Sequence, residues 1–103
     1  MSTETYQDVK IDEKIKRVLV EPPKFKVVFL NDDITPMEWV IDVLVRVFKH
    51  TRQTAEEITL TIHTDGAGVA GIYTYEIAEQ KTIEATSSSR EKGFPLNIKM
   101  VQE

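Results

Sequence analysis

The chain has 103 residues, 41% of them apolar, no cysteine, and a formal net charge of −4 from 17 acids and 13 bases. That length supports one small domain; the missing thiols exclude disulfides and thiolate metal sites, and the acidic balance argues against a nucleic-acid surface. No apolar run is long enough to span a bilayer and no signal-like stretch follows Met1, so a cytoplasmic protein is expected.

Residues 1–21 mix charges with scattered aliphatics and carry no turn signal. They are expected to form a flexible N-terminal extension, with residues 22–103 as the domain. Pro22-Pro23 closes the extension, because the residue before a proline avoids the helical region. Lys24 to Leu30, with Val27, Val28, Phe29 and Leu30 in succession, predicts a buried strand. Thr35, Pro36 and Glu38 then have the spacing of a capping box, with Thr35 at the N-cap and proline at the first helical position. The helix they open is predicted from Met37 to about Lys49. Glu38, Asp42, Arg46 and Lys49 make one narrow polar stripe, and apolar side chains fill the rest. A helix this apolar is covered on more than one side, so part of its surface is available as a pocket wall.

Thr54-Ala55-Glu56-Glu57 repeats the box spacing and predicts a helix to about His63, stopped by Asp65-Gly66. Ala55, Ile58 and Ile62 share one face of it. Gly68 to Tyr73 predicts a second strand. Thr74 caps a third helix, Tyr75 to about Lys92, with Ser87-Ser88-Ser89 expected on a solvated face. Gly93-Phe94-Pro95 ends that helix, and Leu96 to Val101 predicts the last strand. The order β-α-α-β-α-β predicts an α+β domain, a small three-stranded antiparallel sheet packed with three helices.

The chemistry concentrates at Asn31-Asp32-Asp33, between the first strand and the first helix. One reading is turn chemistry, in which Asx side chains fold back on the backbone near a helix N-terminus. The other is that three acceptor-rich residues converge on one ammonium group, which offers three donors and a positive charge. His63 has the same two readings: a surface residue stabilised by a helix C-terminus, or a neutral nitrogen accepting from that ammonium. No ligand pair has a metal-site spacing. No serine elbow, cysteine or phosphate loop is present, so the sequence gives no support to catalysis.

The run Val27-Val28-Phe29-Leu30-Asn31-Asp32-Asp33-Ile34-Thr35-Pro36-Met37-Glu38-Trp39-Val40-Ile41-Asp42-Val43-Leu44 strongly resembles the ClpS family of proteolytic adaptors. The element order, the histidine closing the second helix and Pro95-Leu96 agree with it, from about Pro22 to the C-terminus. The resemblance implies a cofactor-free, non-enzymatic monomer that binds N-degron substrates and hands them to the AAA+ unfoldase ClpA or a relative, for degradation by ClpP. It implies that Asn31, Asp33 and His63 recognise the substrate's free α-amine, with Asp32 adding negative potential or a second contact. The bulky first side chain, Leu, Phe, Tyr or Trp, would enter a pocket walled by Thr35, Met37, Val40, Thr59, Ile62 and Leu96. Glu76 and Lys81 fall where family members contact the unfoldase N-terminal domain; without the resemblance they belong to a solvated helix face. Thr59 departs from the methionine often found in the family, which implies a pocket mouth of altered shape. Two other possibilities are a regulatory module that binds the unfoldase without reading N-degrons, and a small hydrolase or metal enzyme using His63 and the aspartates. Fold alone separates none of these.

Overall fold

The computed structural model describes residues 22–103, so the predicted extension 1–21 lies outside the described residues. The elements are β1 (Lys24–Leu30), α1 (Met37–Arg46), α2 (Arg52–Asp65), β2 (Ala67–Thr74), α3 (Tyr75–Glu91) and β3 (Asn97–Gln102). The predicted order holds, and each end lies within a few residues of its expected place.

β1 is the middle strand, flanked on both sides by antiparallel partners in the order β2-β1-β3. Its alternation decides which face is covered. Val27 and Phe29 are fully buried against the helices, while Lys26 and Val28 point the other way. The pairing of β1 with β2 slips between Val27 and Val28, which leaves Ala70 as an extra residue on β2. The carbonyl of this bulged residue faces His50 Nε2. A carbonyl only accepts, so Nε2 of His50 carries the proton.

α1 lays Val40, Ile41, Val43 and Leu44 into the core and leaves Glu38, Asp42 and Arg46 in water, as the polar stripe predicts. Asp42 and Arg46 form the i,i+4 pair at 2.7 Å; both are half-exposed, and such pairs contribute well under ~1 kcal/mol. Past the helix, Val47 and Phe48 stay buried, and Phe48 packs edge-on to Phe29 at 5.4 Å. Lys81 of α3 closes this end, its ammonium donating to the Val47 carbonyl at 2.7 Å.

The capping expectations need correction. Thr35 does not cap α1: Pro36 occupies the N-cap without a side-chain bond, and the Thr35 hydroxyl donates to Asp32 instead. Glu38 does not fold back; it pairs with Arg52 at 3.1 Å. In α2 the cap is Thr51, whose hydroxyl accepts from the Thr54 amide at 3.2 Å, so the helix starts a turn before Thr54. The serine run is not wholly solvated either. Ser89 is fully buried, donates to the Ala85 carbonyl at 2.8 Å and accepts from Trp39 Nε1 at 2.9 Å. A buried indole N–H requires such a partner.

Candidate functional site

The corner between β1 and α1 is shaped by Asp32. Its Oδ1 accepts from the Ile34 amide at 2.9 Å and the Thr35 amide at 2.6 Å, and its Oδ2 from the Thr35 hydroxyl at 2.8 Å. Partial burial by itself would raise the pKa of this carboxyl. The bonds from Thr35 and Ile34, with a smaller contribution from the charge of Arg90, outweigh it and hold the group below the ordinary carboxylate value. The turn-chemistry reading therefore holds for Asp32, whose two oxygens are occupied inside the corner.

A narrow cleft opens beside this corner, bordered by Leu30, Asn31, Asp32, Thr35, Met37, Val40, Thr59, Ile62, His63 and Leu96. Three structural facts bring these residues together. Met37 and Val40 are one helical step apart on α1, so both present to the same side. Thr59, Ile62 and His63 form the matching i, i+3, i+4 ridge on α2. The Asn31 amide donates to the Gly66 carbonyl at 2.9 Å, which ties the end of β1 to the end of α2. Gly66 sits in the left-handed region at φ 88°, a conformation that glycine adopts without penalty.

The cleft is chemically divided. Asn31, Asp32 and His63 give it an acceptor-rich end; Leu30, Met37, Val40, Ile62 and Leu96 give it apolar walls. The Thr59 hydroxyl donates to the Ala55 carbonyl of its own helix at 2.7 Å, so its donor is already engaged. The open space is about 20 Å³, roughly that of one water. A larger occupant requires side-chain movement. Met37 is the wall residue best able to move, being unbranched and 45% exposed.

Ten of the expected site positions were named from the sequence for amine and side chain, and all but one border the cleft. The exception is Asp33, which is exposed, does not border it, and takes no part in the hydrogen bonds of the corner. Leu30 borders the cleft and was not expected there; its place as the last residue of β1, next to Asn31, was the available signal. Glu76 and Lys81 lie on α3, which contributes nothing to the cleft. Glu76 is exposed in the first turn. Lys81 is not on a solvated face: it is half-buried and sits over the Phe48 and Tyr73 rings at 5.8 and 5.4 Å. Among the described residues no group of three His, Asp or Glu side chains is placed to hold a metal ion, and no helix is long and apolar enough to cross a membrane.

Acceptors at one end and apolar walls along the rest give this cleft the layout that suits a ligand with one polar and one apolar part. Comparison with known proteins makes this specific. Residues 20–99 match the family model described as ATP-dependent Clp protease adaptor protein ClpS. Proteins described as ATP-dependent Clp protease adapter protein ClpS, from Burkholderia mallei (strain SAVP1) and Burkholderia cenocepacia (strain HI2424), are each 43% identical over 94 residues, covering 91% of this chain and 90% of theirs. The solved structure of Agrobacterium tumefaciens ClpS2 bound to L-phenylalaninamide superposes with a TM-score of 0.78 at 40% identity, covering 81% of this chain and all of that one. The chain belongs to the ClpS family of Clp protease adaptors, which are non-catalytic.

Proposed function

We propose that this protein recognises N-degrons: it binds the free α-amine and bulky apolar first side chain of a substrate and delivers that substrate to a Clp unfoldase. The observation that carries the reading is the divided cleft, acceptors at one end and apolar walls along the rest. The relative bound to L-phenylalaninamide supports it, since that ligand pairs a free α-amine with a bulky apolar side chain.

In this reading Asn31 and His63 accept directly from the ammonium, and Asp33 adds negative charge from the rim. Asp32 holds the corner in shape and leaves its carboxylate charge beside the amine. A free amine offers several charge-assisted bonds, whereas an acetylated nitrogen offers one neutral donor, so the acceptor cluster penalises a blocked terminus. The first side chain displaces Met37 and packs on Val40, Thr59, Ile62 and Leu96. Delivery uses α3, with Glu76 presenting its carboxylate to the N-terminal domain of the unfoldase (ClpA or a relative). Lys81 contributes chiefly its stem there, because its ammonium is engaged by Val47. The protein works as a cytoplasmic monomer.

Calorimetric titration with Phe-, Leu- and Ile-initiated peptides, each free and N-acetylated, tests the reading. Free Phe and Leu peptides are expected to bind at about 1 μM or tighter. Acetylation or His63→Ala should weaken them at least ~10-fold. Equal affinity for free and acetylated termini overturns the reading.

A further inference from the structure

Of the apolar cleft walls, Leu96 alone stands outside helix and strand, and it is fully buried. The turn that carries it, Gly93 to Leu96, is held at both ends by Arg90, in the last turn of α3. The Arg90 carbonyl accepts from the Gly93 amide at 2.9 Å. Its guanidinium then reaches forward, and Nη1 donates to the carbonyls of Phe94 and of Leu96 itself, both at 2.9 Å. Pro95, between those two carbonyls, has no N–H with which to anchor the segment. On its other side the Phe94 ring rests on Trp39 at 5.6 Å. Arg90 makes no ion pair among the described residues, so these carbonyls are the hydrogen-bond partners of its side chain there.

We infer that Arg90 is a positioning residue for the cleft: it fixes Leu96, and through Leu96 the shape against which a substrate's first side chain is read. The inference rests on the N-degron reading and adds to it the part that keeps the pocket selective. Bonds from a charged donor are stronger than neutral ones, and a planar guanidinium sets their direction as well as their length. Main chain held on both sides of a proline has little room to yield. Leu96 is therefore the rigid counterpart of Met37, the wall that moves. Leucine and isoleucine contain the same atoms and differ in where they branch. A fixed wall separates the two shapes, whereas a yielding one accepts both. The Arg90 charge also acts on Asp32, at the acceptor end of the cleft. That effect is the same for every ligand with a free amine, so it cancels from the ratio of two such affinities.

Fluorescence anisotropy with two labelled peptides, one beginning with Leu and one with Ile and otherwise identical, measures that ratio. In the unaltered protein the Leu peptide is expected to bind about tenfold tighter. Arg90→Met keeps the stem and removes the donors, and should bring the ratio below about threefold with the circular dichroism unchanged. Arg90→Gln, too short to reach both carbonyls, should do the same. Lys92→Met makes the same change in net charge two residues on, without touching the clamp, and should keep the ratio. In Leu96→Met, which keeps the volume of the wall but not its fixed shape, the ratio should already be low. Adding Arg90→Met there should lower it by less than about 1.5-fold, because the two changes act through one contact. The inference is overturned if the unaltered protein does not separate the peptides, if both Arg90 variants keep the ratio, or if Lys92→Met lowers it as much. A full effect of Arg90→Met in the Leu96→Met background also overturns it. The N-acetylated Leu peptide separates the two levels: binding as tight as that of the free peptide overturns the amine reading beneath. Tight, amine-dependent binding with a ratio that ignores Arg90 overturns the positioning role alone.

Discussion

Replacing Asp32 by alanine removes one side chain that holds three donors, the Ile34 amide, the Thr35 amide and the Thr35 hydroxyl. A hydrogen bond to a charged acceptor contributes about 1.5–3 kcal/mol when its donor would otherwise be stranded, and far less when water can replace it. The Ile34 bond is exposed, so water takes its place. The two Thr35 bonds are part-buried, and the loss concentrates there. The expected cost is about 2–3 kcal/mol, a large share of the ~5–10 kcal/mol typical of a small domain. Urea unfolding followed by tryptophan fluorescence should show the midpoint falling with the slope unchanged. Asp32→Asn keeps an acceptor oxygen and loses the charge, so it should fall between alanine and the parent. Asp33→Ala is the contrast: an exposed residue outside the corner's hydrogen bonds, it should change stability by no more than ~0.5 kcal/mol while weakening peptide binding up to about fivefold. The reasoning fails if Asp32→Ala is as stable as the parent, or if Asp33→Ala loses as much.

Four other outcomes follow from the same structure. Because the Asp32 carboxyl is held below its unfolded value, the unfolded chain takes up its proton first as pH falls, and this part of the stability is lost below about pH 4; Asp32→Asn should flatten the acid limb of a midpoint-versus-pH curve, and an identical limb would contradict the assignment. Ser89→Ala strands the Trp39 indole N–H and should cost about 1–2 kcal/mol, while additivity with Trp39→Phe in a double-mutant cycle would show that the bond contributes nothing. In Gly68→Ala the new Cβ would lie 2.7 Å from Ile62 Cγ1, so about 1–3 kcal/mol of overpacking and a weakened cleft wall are expected; unchanged melting and peptide affinity would mean that Ile62 gives way freely. Thr59→Met puts a longer, unbranched side chain at a residue that borders the cleft and should reorder the preference among Leu, aromatic and β-branched first residues, an idea that an unchanged ranking on a peptide panel would sink.

Elements with a strong period are legible in the sequence. β1 alternates under a run of apolar residues, α1 shows its polar stripe, and Gly66 and Gly93 both fall in the left-handed region just beyond the helices they end. The caps were not legible, because several side chains within three residues compete for the same amides. Asp32 captures Thr35, and Thr51 reaches the amide of Thr54 before Thr54 can act as a cap itself. Long-range partners are also invisible to local patterns: Trp39 and Ser89 are 50 residues apart, and Glu38 and Arg52 are 14 apart. The cleft was readable through the family resemblance, which supplied Leu96 and Thr35 although neither lies on a helix. Which of Asp32 and Asp33 turns into the corner required a backbone: the resemblance puts Asp33 nearer the amine, and the structure puts Asp32 beside the cleft.

The hydrogen bond from the Asn31 amide to the Gly66 carbonyl has a kinetic consequence. It joins the strand that carries Asn31 to the turn three residues after His63, so the main chain beneath the two side chains is held together. The backbone of the polar end is tied in place, while the cleft holds about 20 Å³ until a wall residue moves. In the proposed reading, amine docking comes first in association and side-chain entry second. Ligands with the same terminus but different first side chains would reach the protein at similar rates and differ in how often an encounter is completed. Loosening Gly66 would blur that order, because a receptor end that must first be assembled no longer precedes the step it guides.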